Sequence, residues 1–429
     1  MGYSARLVSR EAETGRPIRV GVVGAGQMGR GLIAQIQNTR GMAVSAVADI
    51  EEQRAIDALQ AAGATDVISS GTAEELSQAV LAGKSVVVNN GTKIPDLPVD
   101  IVLEVSGVPD VAAEVALESL LKGKHVALMT VEADVTVGWV LAQIAESGNA
   151  IYTVCRGDEP VEALKLVEYA EDIGLEVIVA GKGKNNPLRQ DATPESLAEE
   201  AASKGMNPKM LCSFVDGTKT MVEMAALANA TGYAIDVPGM HGQQINLSEL
   251  AEKLRPEADG GIVSQPRVVE YVTGDVAPGV FVTVKATNPV VHEELDYLKL
   301  GHGPYYQLYR PYHLASIEAT LSISEVVLDQ RASLKPIAWT AEVVTKAKRD
   351  LKAGEQIDGI GGSTVYGYTV DATEARNAGQ LPIGLARGAK VVRDVAKGEV
   401  IGYDDVELDD RKLIVTLRKL QDSLLAARG

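Results

Sequence analysis

The sequence predicts an α/β protein with a doubly wound N-terminal domain, an α+β domain and a small C-terminal β domain. Three observations support this prediction: a glycine-rich turn between a buried strand and a helix, a strand–helix alternation that continues to about residue 150, and a repeated segment after residue 335. The expected domains are a polar arm over 1–16, the doubly wound domain over 17–150, a catalytic domain over 151–335, and a β domain with a C-terminal tail over 336–429.

The glycine-rich turn follows a short apolar strand and reads Gly24-x-Gly26-x-x-Gly29. In a Rossmann-type domain the first glycine permits the tight turn, the second lets a pyrophosphate approach the backbone, and the third lets helix and strand pack closely. The N–H groups at the helix N-terminus then face the phosphates. The dinucleotide-binding residues predicted in this turn are Gly24, Gly26, Gln27, Met28 and Gly29. The alternative is a glycine-rich turn in an ordinary strand–helix unit.

A second apolar run ends at Ala48 and is followed by Asp49, which lies 20 residues beyond Gly29. A carboxylate at this spacing is typical of the residue that binds the adenosine ribose hydroxyls. Its charge favours NAD because it repels a 2′-phosphate, whereas Arg54 could compensate and admit NADP. The sequence therefore leaves both NAD and NADP open as the cofactor.

Further strands and helices follow in alternation. The predicted elements are a helix over 53–62, a strand over 66–69, a helix capped by Thr72, strands over 85–88 and 99–107, a helix over 109–121 and a strand over 125–129. Ligands of such sheets lie at the carboxyl ends of the strands. This placement puts Ser106 and Gly107 beside the nicotinamide, together with Glu132 and Asp134 after the next strand.

Composition and charge restrict the function. The 429 residues carry a net charge of −17, which argues against nucleic acid or an anionic membrane as the main partner. Only two cysteines are present, far apart, so neither a disulfide framework nor a zinc site is expected. Residues 1–19 lack an apolar signal core and no apolar run is long enough to span a membrane, so we expect a cytoplasmic protein.

Two lysines and two amides follow the predicted strand over 175–180. They are Lys182, Lys184, Asn185 and Asn186. Two cations and two amides suit a phosphate or carboxylate group of a substrate, and a lysine can also act as an acid. The alternative is a solvated glycine–lysine turn.

Two further groups of charged residues could take part in chemistry. Asp216 precedes a predicted helix on which Lys219 and Glu223 lie four residues apart, and the alternative there is a surface ion pair. Asp158 and Glu159 follow a strand and could hold a divalent metal, while a helix N-cap is the alternative.

Four of the thirteen tyrosines fall between Tyr305 and Tyr312, in a chain that is otherwise poor in aromatic residues. We interpret residues 301–313 as a loop that covers the substrate. In this loop Arg310 would anchor an anion, and His302 or His313 would donate hydrogen bonds. The alternative is a loop packed in the core.

The C-terminal region contains an internal repeat. The unit Arg-Asp-hydrophobic-x-x-Gly-Glu begins at Arg349 and again at Arg393, about 44 residues later. Two copies at this spacing predict a small β domain with internal symmetry.

These residues together resemble a known family. The nucleotide-domain pattern, the Glu104-Val105-Ser106-Gly107 strand end and the helix that includes Lys219 and Glu223 resemble the homoserine-dehydrogenase superfamily. The segment 381–386 and the repeat resemble the SAF, or β-clip, domain. The whole chain is similar to homoserine-dehydrogenase-like proteins with a SAF domain, which include the 1-deoxyxylulose 5-phosphate reductoisomerase-like enzymes.

The resemblance implies an NAD(P)-dependent oxidoreductase that rearranges a small anionic sugar phosphate or branched sugar acid and moves a hydride. It implies Mg²⁺ or Mn²⁺ held by acidic residues, with lysines holding the phosphate or carboxylate. By this resemblance the metal ligands are Asp158, Glu159 and Glu223, and the anion-holding residues are Lys182, Lys184 and Lys219. True homoserine dehydrogenases carry a lysine near the position of Glu132, so simple homoserine oxidation fits this chain poorly.

Two other functions stay open at this point. One is a simple dehydrogenase that performs no rearrangement, and the other is a binding protein that senses NAD(P) without turnover. The resemblance also implies a homodimer or a higher homo-oligomer, and it leaves the role of the SAF domain undetermined.

Overall fold

The computed structural model describes residues 1–427, and the chain divides into two compact units. The first unit comprises residues 1–158, residues 314–335 and the segment from Lys412 onward. The second comprises residues 159–313 and 336–411. Among the described residues, none of the helices has both the length and the hydropathy needed to cross a membrane.

Strands and helices alternate through residues 1–158. Their bounds are α1 (Tyr3–Thr14), β1 (Ile18–Val23), α2 (Gln27–Asn38), β2 (Met42–Ala48), α3 (Glu52–Ala61), β3 (Val67–Ile68), α4 (Ala73–Leu81), β4 (Ser85–Val88), β5 (Ile101–Glu104), α5 (Pro109–Leu121), β6 (His125–Leu128), α6 (Val131–Ser147) and β7 (Tyr152–Val154). The strands form one parallel sheet in the order β3-β4-β2-β1-β5-β6-β7. This order reverses direction at β1, so the predicted doubly wound domain is confirmed.

The chain then builds the second unit around a mixed sheet. The bounds are α7 (Glu159–Asp172), β8 (Glu176–Lys184), α8 (Ala198–Ser203), α9 (Pro208–Val215), α10 (Thr218–Thr231), β9 (Ala234–Ile235), α11 (Leu250–Lys253), β10 (Val268–Thr273), β11 (Val280–Lys285), α12 (Pro289–Tyr297) and β12 (Tyr305–Arg310). The sheet order is β12-β11-β8-β10-β9, with β8 in the centre. Strands β9 and β10 run parallel to β8, whereas β11 is antiparallel to it.

The remaining elements complete both units. Their bounds are α13 (Ala315–Asp329), β13 (Ala341–Ala347), β14 (Val365–Asp371), α14 (Ala372–Asn377), β15 (Lys390–Val391), β16 (Val406–Glu407) and α15 (Leu413–Ala426). Helices α13 and α15 belong to the first unit, although we placed the first in the catalytic domain and the second in a C-terminal tail. Packing explains this difference: α13 lies on α2, and Gln421 of α15 is fully buried and bonds the backbone of α6 at Thr136 and Val140.

The predicted substrate-covering loop is different in the structure. Its central residues, Tyr305–Arg310, form β12, an edge strand that pairs antiparallel with β11. Tyr305 and Tyr306 are buried, and the Tyr309 hydroxyl donates a hydrogen bond to the carbonyl of Val276 at 2.8 Å. The aromatic cluster therefore anchors an edge strand, because successive side chains of a strand point to opposite faces and both Tyr305 and Tyr306 are buried.

The C-terminal repeat forms a symmetric pair. The N–H groups of Leu351 and Val395 each donate to the other residue's carbonyl, at 2.8 and 3.0 Å. Each repeat's aspartate accepts from the other copy: Asp394 from the N–H of Ala353 at 3.0 Å, and Asp350 from that of Lys397 at 2.8 Å. The internal symmetry predicted from the repeat is therefore present in the backbone.

Candidate active site

The glycine-rich turn between β1 and α2 has the geometry of a dinucleotide-binding turn. Gly24 has a φ of +105°, which L side chains rarely adopt. A Cβ atom on Gly29 would lie 2.0 Å from the carbonyl oxygen of Gly24, so this glycine is required by the packing of helix on strand. A Cβ on Gly26 would meet nothing within 4 Å. The protein itself does not require a glycine there, whereas an approaching pyrophosphate does.

Asp49 is attached to this turn. Its carboxylate accepts from the N–H of Ala25 at 2.8 Å and from that of Glu51 at 2.9 Å, and Arg54 Nη1 lies 3.6 Å from it. Gln27 and Met28 begin α2, so their N–H groups belong to the unsatisfied first turn. The turn and the carboxylate thus form the arrangement that binds the phosphates and ribose of a dinucleotide.

The ends of β5 and β6 supply the other predicted cofactor residues. The N–H of Gly107 donates to Thr130 Oγ1 at 3.0 Å, and Ser106 Oγ accepts from the N–H of Val108 at 3.2 Å. Glu132 lies in the first turn of α6 and is partly buried, and its predicted catalytic role stays a prediction.

The second unit concentrates its charged residues around one buried ammonium. Lys182 on β8 is 6% exposed, and its Nζ donates to Glu159 Oε1 at 2.7 Å and also to Glu223 Oε2. Burial disfavours the charged lysine, but the two carboxylates outweigh burial and hold the pKa of Lys182 above its ordinary value. Lysine 182 is therefore a fixed positive charge.

The two carboxylates that bind this ammonium come from α7 and α10, which are separated in the sequence. Glu159 begins α7, and its Oε1 lies 3.2 Å from Nε2 of His313. Glu223 lies on the second turn of α10, and its Oε1 is 3.6 Å from Nζ of Lys219. The result is a row in which basic side chains alternate with carboxylates, and it contains His313, Glu159, Lys182, Glu223 and Lys219.

Lys184 lies on the same face of β8 and has a different environment. Its Nζ donates to the carbonyls of Asn186 at 2.7 Å and Phe214 at 2.9 Å, which leaves one of three N–H groups for a ligand. Burial, followed by repulsion from Lys182, lowers the pKa of Lys184 to about 8. A lysine with such a pKa exchanges protons near neutral pH.

The alternation of glycine and lysine in this strand has a steric cause. We predicted that the strand would end at Ala180, with the solvated turn as the alternative, but β8 continues to Lys184. A Cβ on Gly181 would lie 1.9 Å from the carbonyl oxygen of Glu270, and one on Gly183 would lie 2.2 Å from the nitrogen of Ala277. Glycine lets neighbouring backbone approach one face while the lysines occupy the other, so the strand end was predicted too early and the turn alternative is wrong.

The predicted substrate residues outside this row range from a paired arginine to a fully exposed histidine. Arg310 forms an ion pair with Glu162, which is 1% exposed. His302 is fully exposed and lies 3.9 Å from Asp296, so it is not part of the row around Lys182. Asn185 is exposed and Asn186 is partly buried at the end of β8.

Two of the three predicted metal ligands lie close together within the second unit. Carboxylate oxygens of Glu159 and Glu223 lie within 4.8 Å of each other in the second unit. Asp158 precedes Glu159 in the chain and ends the first unit. The metal site stays a prediction, and the helix N-cap alternative for this pair stays open.

The sequence alone assigned no individual role to three charged residues of interest. Glu104 at the end of β5 is fully buried, and burial raises the pKa of its carboxyl to about 7. Glu162 is the partner of Arg310, and it could have been noticed as an acid three residues after Glu159 on the same helix face. Lys348 is the third, and it forms a 2.8 Å ion pair with Asp216.

The comparisons with known proteins agree with this geometry. Residues 157–319 match the family model described as the catalytic domain of oxidoreductase DRL, and residues 342–407 match the SAF domain. The chain carries a DRL oxidoreductase catalytic domain followed by a SAF domain. The predicted family and fold class are therefore confirmed, and the DRL match contains the row around Lys182. A search of the curated proteins found no match.

Several solved structures are similar to the chain at low identity. A probable dehydrogenase from Thermotoga maritima is 12% identical, with 75% of this chain and 90% of that chain covered and a TM-score of 0.41. A 1-deoxy-D-xylulose 5-phosphate reductoisomerase from Zymomonas mobilis, in complex with NADPH, is 19% identical over 48% of this chain and 57% of that chain, with a TM-score of 0.33.

The glycine turn provides a matched pair of variants. We expect Gly26→Ala to leave the free energy of unfolding within about 1 kcal/mol of the parent, because the added methyl group enters open space. It should raise the Kd for NADH at least tenfold, roughly 1.4 kcal/mol, by blocking the phosphates. Gly29→Ala should instead lower stability by roughly 1–3 kcal/mol through overpacking. Thermal unfolding and a fluorescence titration measure both quantities, and unchanged NADH affinity in Gly26→Ala would contradict the assignment.

The charge of Asp49 predicts a preference for NADH over NADPH. Asp49→Asn keeps an acceptor for the N–H of Ala25 but removes the charge that repels a 2′-phosphate. We expect the ratio of the Kd values for NADPH and NADH to fall about tenfold. Glu51→Gln removes a neighbouring exposed charge and is the control, for which this ratio should stay unchanged. Equal ratios in the parent and Asp49→Asn would refute the role of Asp49.

Proposed function

We propose that this protein is an NAD(P)H-dependent reductoisomerase-like enzyme. Its substrate would be a small sugar phosphate of the 1-deoxyxylulose 5-phosphate type or a branched sugar acid. The observation that carries this proposal is the pair of buried lysines on β8: Lys182 is held charged by two carboxylates, and Lys184 has a pKa lowered to about 8. The match to an oxidoreductase catalytic domain supports the reaction class.

Lys184 is suited to transfer the proton that accompanies carbonyl reduction. Reduction of a ketone or aldehyde leaves an alkoxide, which must take up a proton. The two carbonyls of Asn186 and Phe214 fix the ammonium and leave one N–H for the substrate oxygen. In the oxidative direction the neutral amine would accept the same proton.

The cationic groups around this position suit an anionic substrate. The ammonium group of Lys184 donates to backbone carbonyls and not to a carboxylate, so its positive charge is available to an anion. Asn185 and Asn186 are the next two residues in the chain and offer amide groups. Phosphate and carboxylate oxygens accept hydrogen bonds from such groups. The net charge of −17 makes a local cluster of this kind necessary for capturing an anion.

Glu159 and Glu223 have the donor chemistry that a divalent cation requires. Oxygen donors from two carboxylates suit Mg²⁺ or Mn²⁺, and Asp158 precedes them in the chain as a third candidate. When bound, such a cation would polarise the carbonyl and hold neighbouring oxygens of the substrate. Lys182 donates to both of these carboxylates and thereby fixes their positions.

The dinucleotide-binding turn supports the redox part of the proposal. The open space at Gly26 and the carboxylate of Asp49 fit the pyrophosphate and the ribose. A bound nicotinamide would supply or accept the hydride. Gly24 and Gly29 hold the turn in the conformation that this binding requires.

The direct test follows NADH and NADPH oxidation by the purified protein with 1-deoxyxylulose 5-phosphate, with and without Mg²⁺ or Mn²⁺. We expect turnover that requires the metal and yields a product with a rearranged carbon skeleton, identified by NMR. Glu223→Gln should lower kcat at least about a hundredfold, because it weakens the donor set. Lys204→Met removes an exposed lysine of the same unit and is the control, with kcat unchanged.

Other outcomes of this assay have defined meanings. Reduction without rearrangement would favour the simple dehydrogenase. Cofactor binding without turnover on sugar phosphates and sugar acids would refute the proposed activity and favour a sensor of NAD(P).

The role of Lys184 predicts a pH dependence. Its ammonium is the acid of the reductive direction, so kcat should fall as the pH rises through about 8, where the proton is lost. Lys184→Met should lower kcat by roughly 10²–10⁴-fold and abolish this decline. Rate measurements from pH 6 to 10 test both statements, and a decline near pH 8 that persists in Lys184→Met would exclude Lys184 as the acid.

A further inference from the structure

Asp216 has a partner that changes its expected role. We predicted that Asp216 would act in catalysis, yet its carboxylate is 1% exposed and forms a 2.8 Å ion pair with Lys348. Lys348 is itself 3% exposed and also donates to the carbonyls of Ala192 at 2.7 Å and Gly362 at 2.6 Å. All of these groups lie in the second unit. Lys348 belongs to the SAF domain, so this domain contributes a buried charge to the region where α10 begins.

The ion pair is coupled to the start of α10. The second oxygen of Asp216 accepts from the N–H of Thr218 at 2.8 Å, which satisfies one of the free donors of the first turn. Thr218 Oγ1 in turn accepts from the N–H of Gly367 on β14 at 2.8 Å. A Cβ on Gly367 would lie 3.0 Å from the Thr218 methyl carbon, so glycine permits this close approach.

The β13–β14 hairpin, together with Thr340 just before it, holds α10 at two further points. Thr369 Oγ1 donates to the carbonyl of Met221 at 2.9 Å. Near the other end of the helix, Asn229 Oδ1 accepts from the N–H groups of Thr340 at 2.9 Å and Ala341 at 3.0 Å. The attachments therefore extend from before the first turn to the last turn, and they fix both the axial position and the rotation of α10.

The residues with candidate chemistry lie on another face of this helix. At 100° per residue, Thr218 and Asn229 share one face, whereas Lys219 and Glu223 lie roughly 100–140° away from it. Glu223 reaches Lys182 from that second face. A shift of about 1 Å or a small rotation of α10 would change the separation between Glu223 and Glu159, on which cation and substrate geometry depend.

We propose that the SAF domain is a positioning element of the active site, in which the Lys348–Asp216 ion pair sets the start of α10 and thereby places Glu223 and Lys219. The effect on turnover rests on the proposed function. The effect on α10 does not, and it can be measured without substrate.

The experiment compares backbone amide hydrogen exchange of full-length variants by mass spectrometry. Removing one partner of a buried ion pair can prevent folding, so the main variant is the double substitution Asp216→Asn and Lys348→Met, which leaves no unpaired buried charge. We expect exchange of the 218–224 amides to be at least about tenfold faster than in the parent. The matched control is Leu351→Ala, which removes a buried contact in the SAF repeat at a residue that makes none of these attachments to α10.

The control separates positioning from general destabilisation. Leu351→Ala should lower the Tm without accelerating exchange in 218–224. Thr369→Val, which removes only the hydroxyl bond to Met221, should accelerate exchange there to a smaller extent. Unchanged exchange in the double variant, or equal acceleration in the double variant and Leu351→Ala, would overturn the proposal.

Turnover provides the second readout. With an active substrate, the double variant should lower kcat at least about tenfold while the Kd for NADH, which reports the first unit, stays unchanged. If no substrate turns over, the exchange result still decides whether the SAF domain positions α10. A double variant with faster exchange but unaltered kcat would refute the functional half of the proposal.

Discussion

The buried ammonium of Lys182 is the constraint on which the second unit depends. An isolated charge in a protein interior is very unfavourable, and this one is tolerated because two carboxylates and their hydrogen bonds surround it. Those carboxylates come from the start of α7 and the second turn of α10. Both helices must therefore be placed accurately against β8, and the lysine couples their positions.

The same arrangement separates the roles of two neighbouring lysines. Lys182 and Lys184 lie two residues apart on one strand and share a face, yet only Lys182 is bound by carboxylates. The fixed charge of Lys182 is one cause of the lowered pKa of Lys184. A like charge nearby, together with burial, is how a protein brings the pKa of a lysine towards neutral pH. One strand thus supplies both a permanent cation and a group able to exchange protons.

Local signals in the sequence predicted some parts of the molecule well and others poorly. The turn at Gly24 and the spacing to Asp49 were predictable, since each residue there meets a steric or electrostatic requirement set within a short segment. The end of β8 was not, because Gly181 and Gly183 suggest a turn until the backbone that approaches them is known. Lys348 was missed for a related reason: its partner Asp216 is distant in sequence, and no local pattern distinguishes a buried lysine from an exposed one. An amphipathic helix such as α13 likewise shows that one face is buried but does not identify the surface that covers it.

Three separate segments of the chain form the first unit, and the last of them contains α15. Gln421 has no exposed surface and bonds the backbone of α6, which was synthesised long before it. A nascent chain emerging from the ribosome therefore presents the α6 surface without its cover until α15 has been translated. The nucleotide-binding unit reaches its final form only after the SAF domain has been made, so a premature stop after residue 411 would damage the first unit even though the sequence of its sheet is intact.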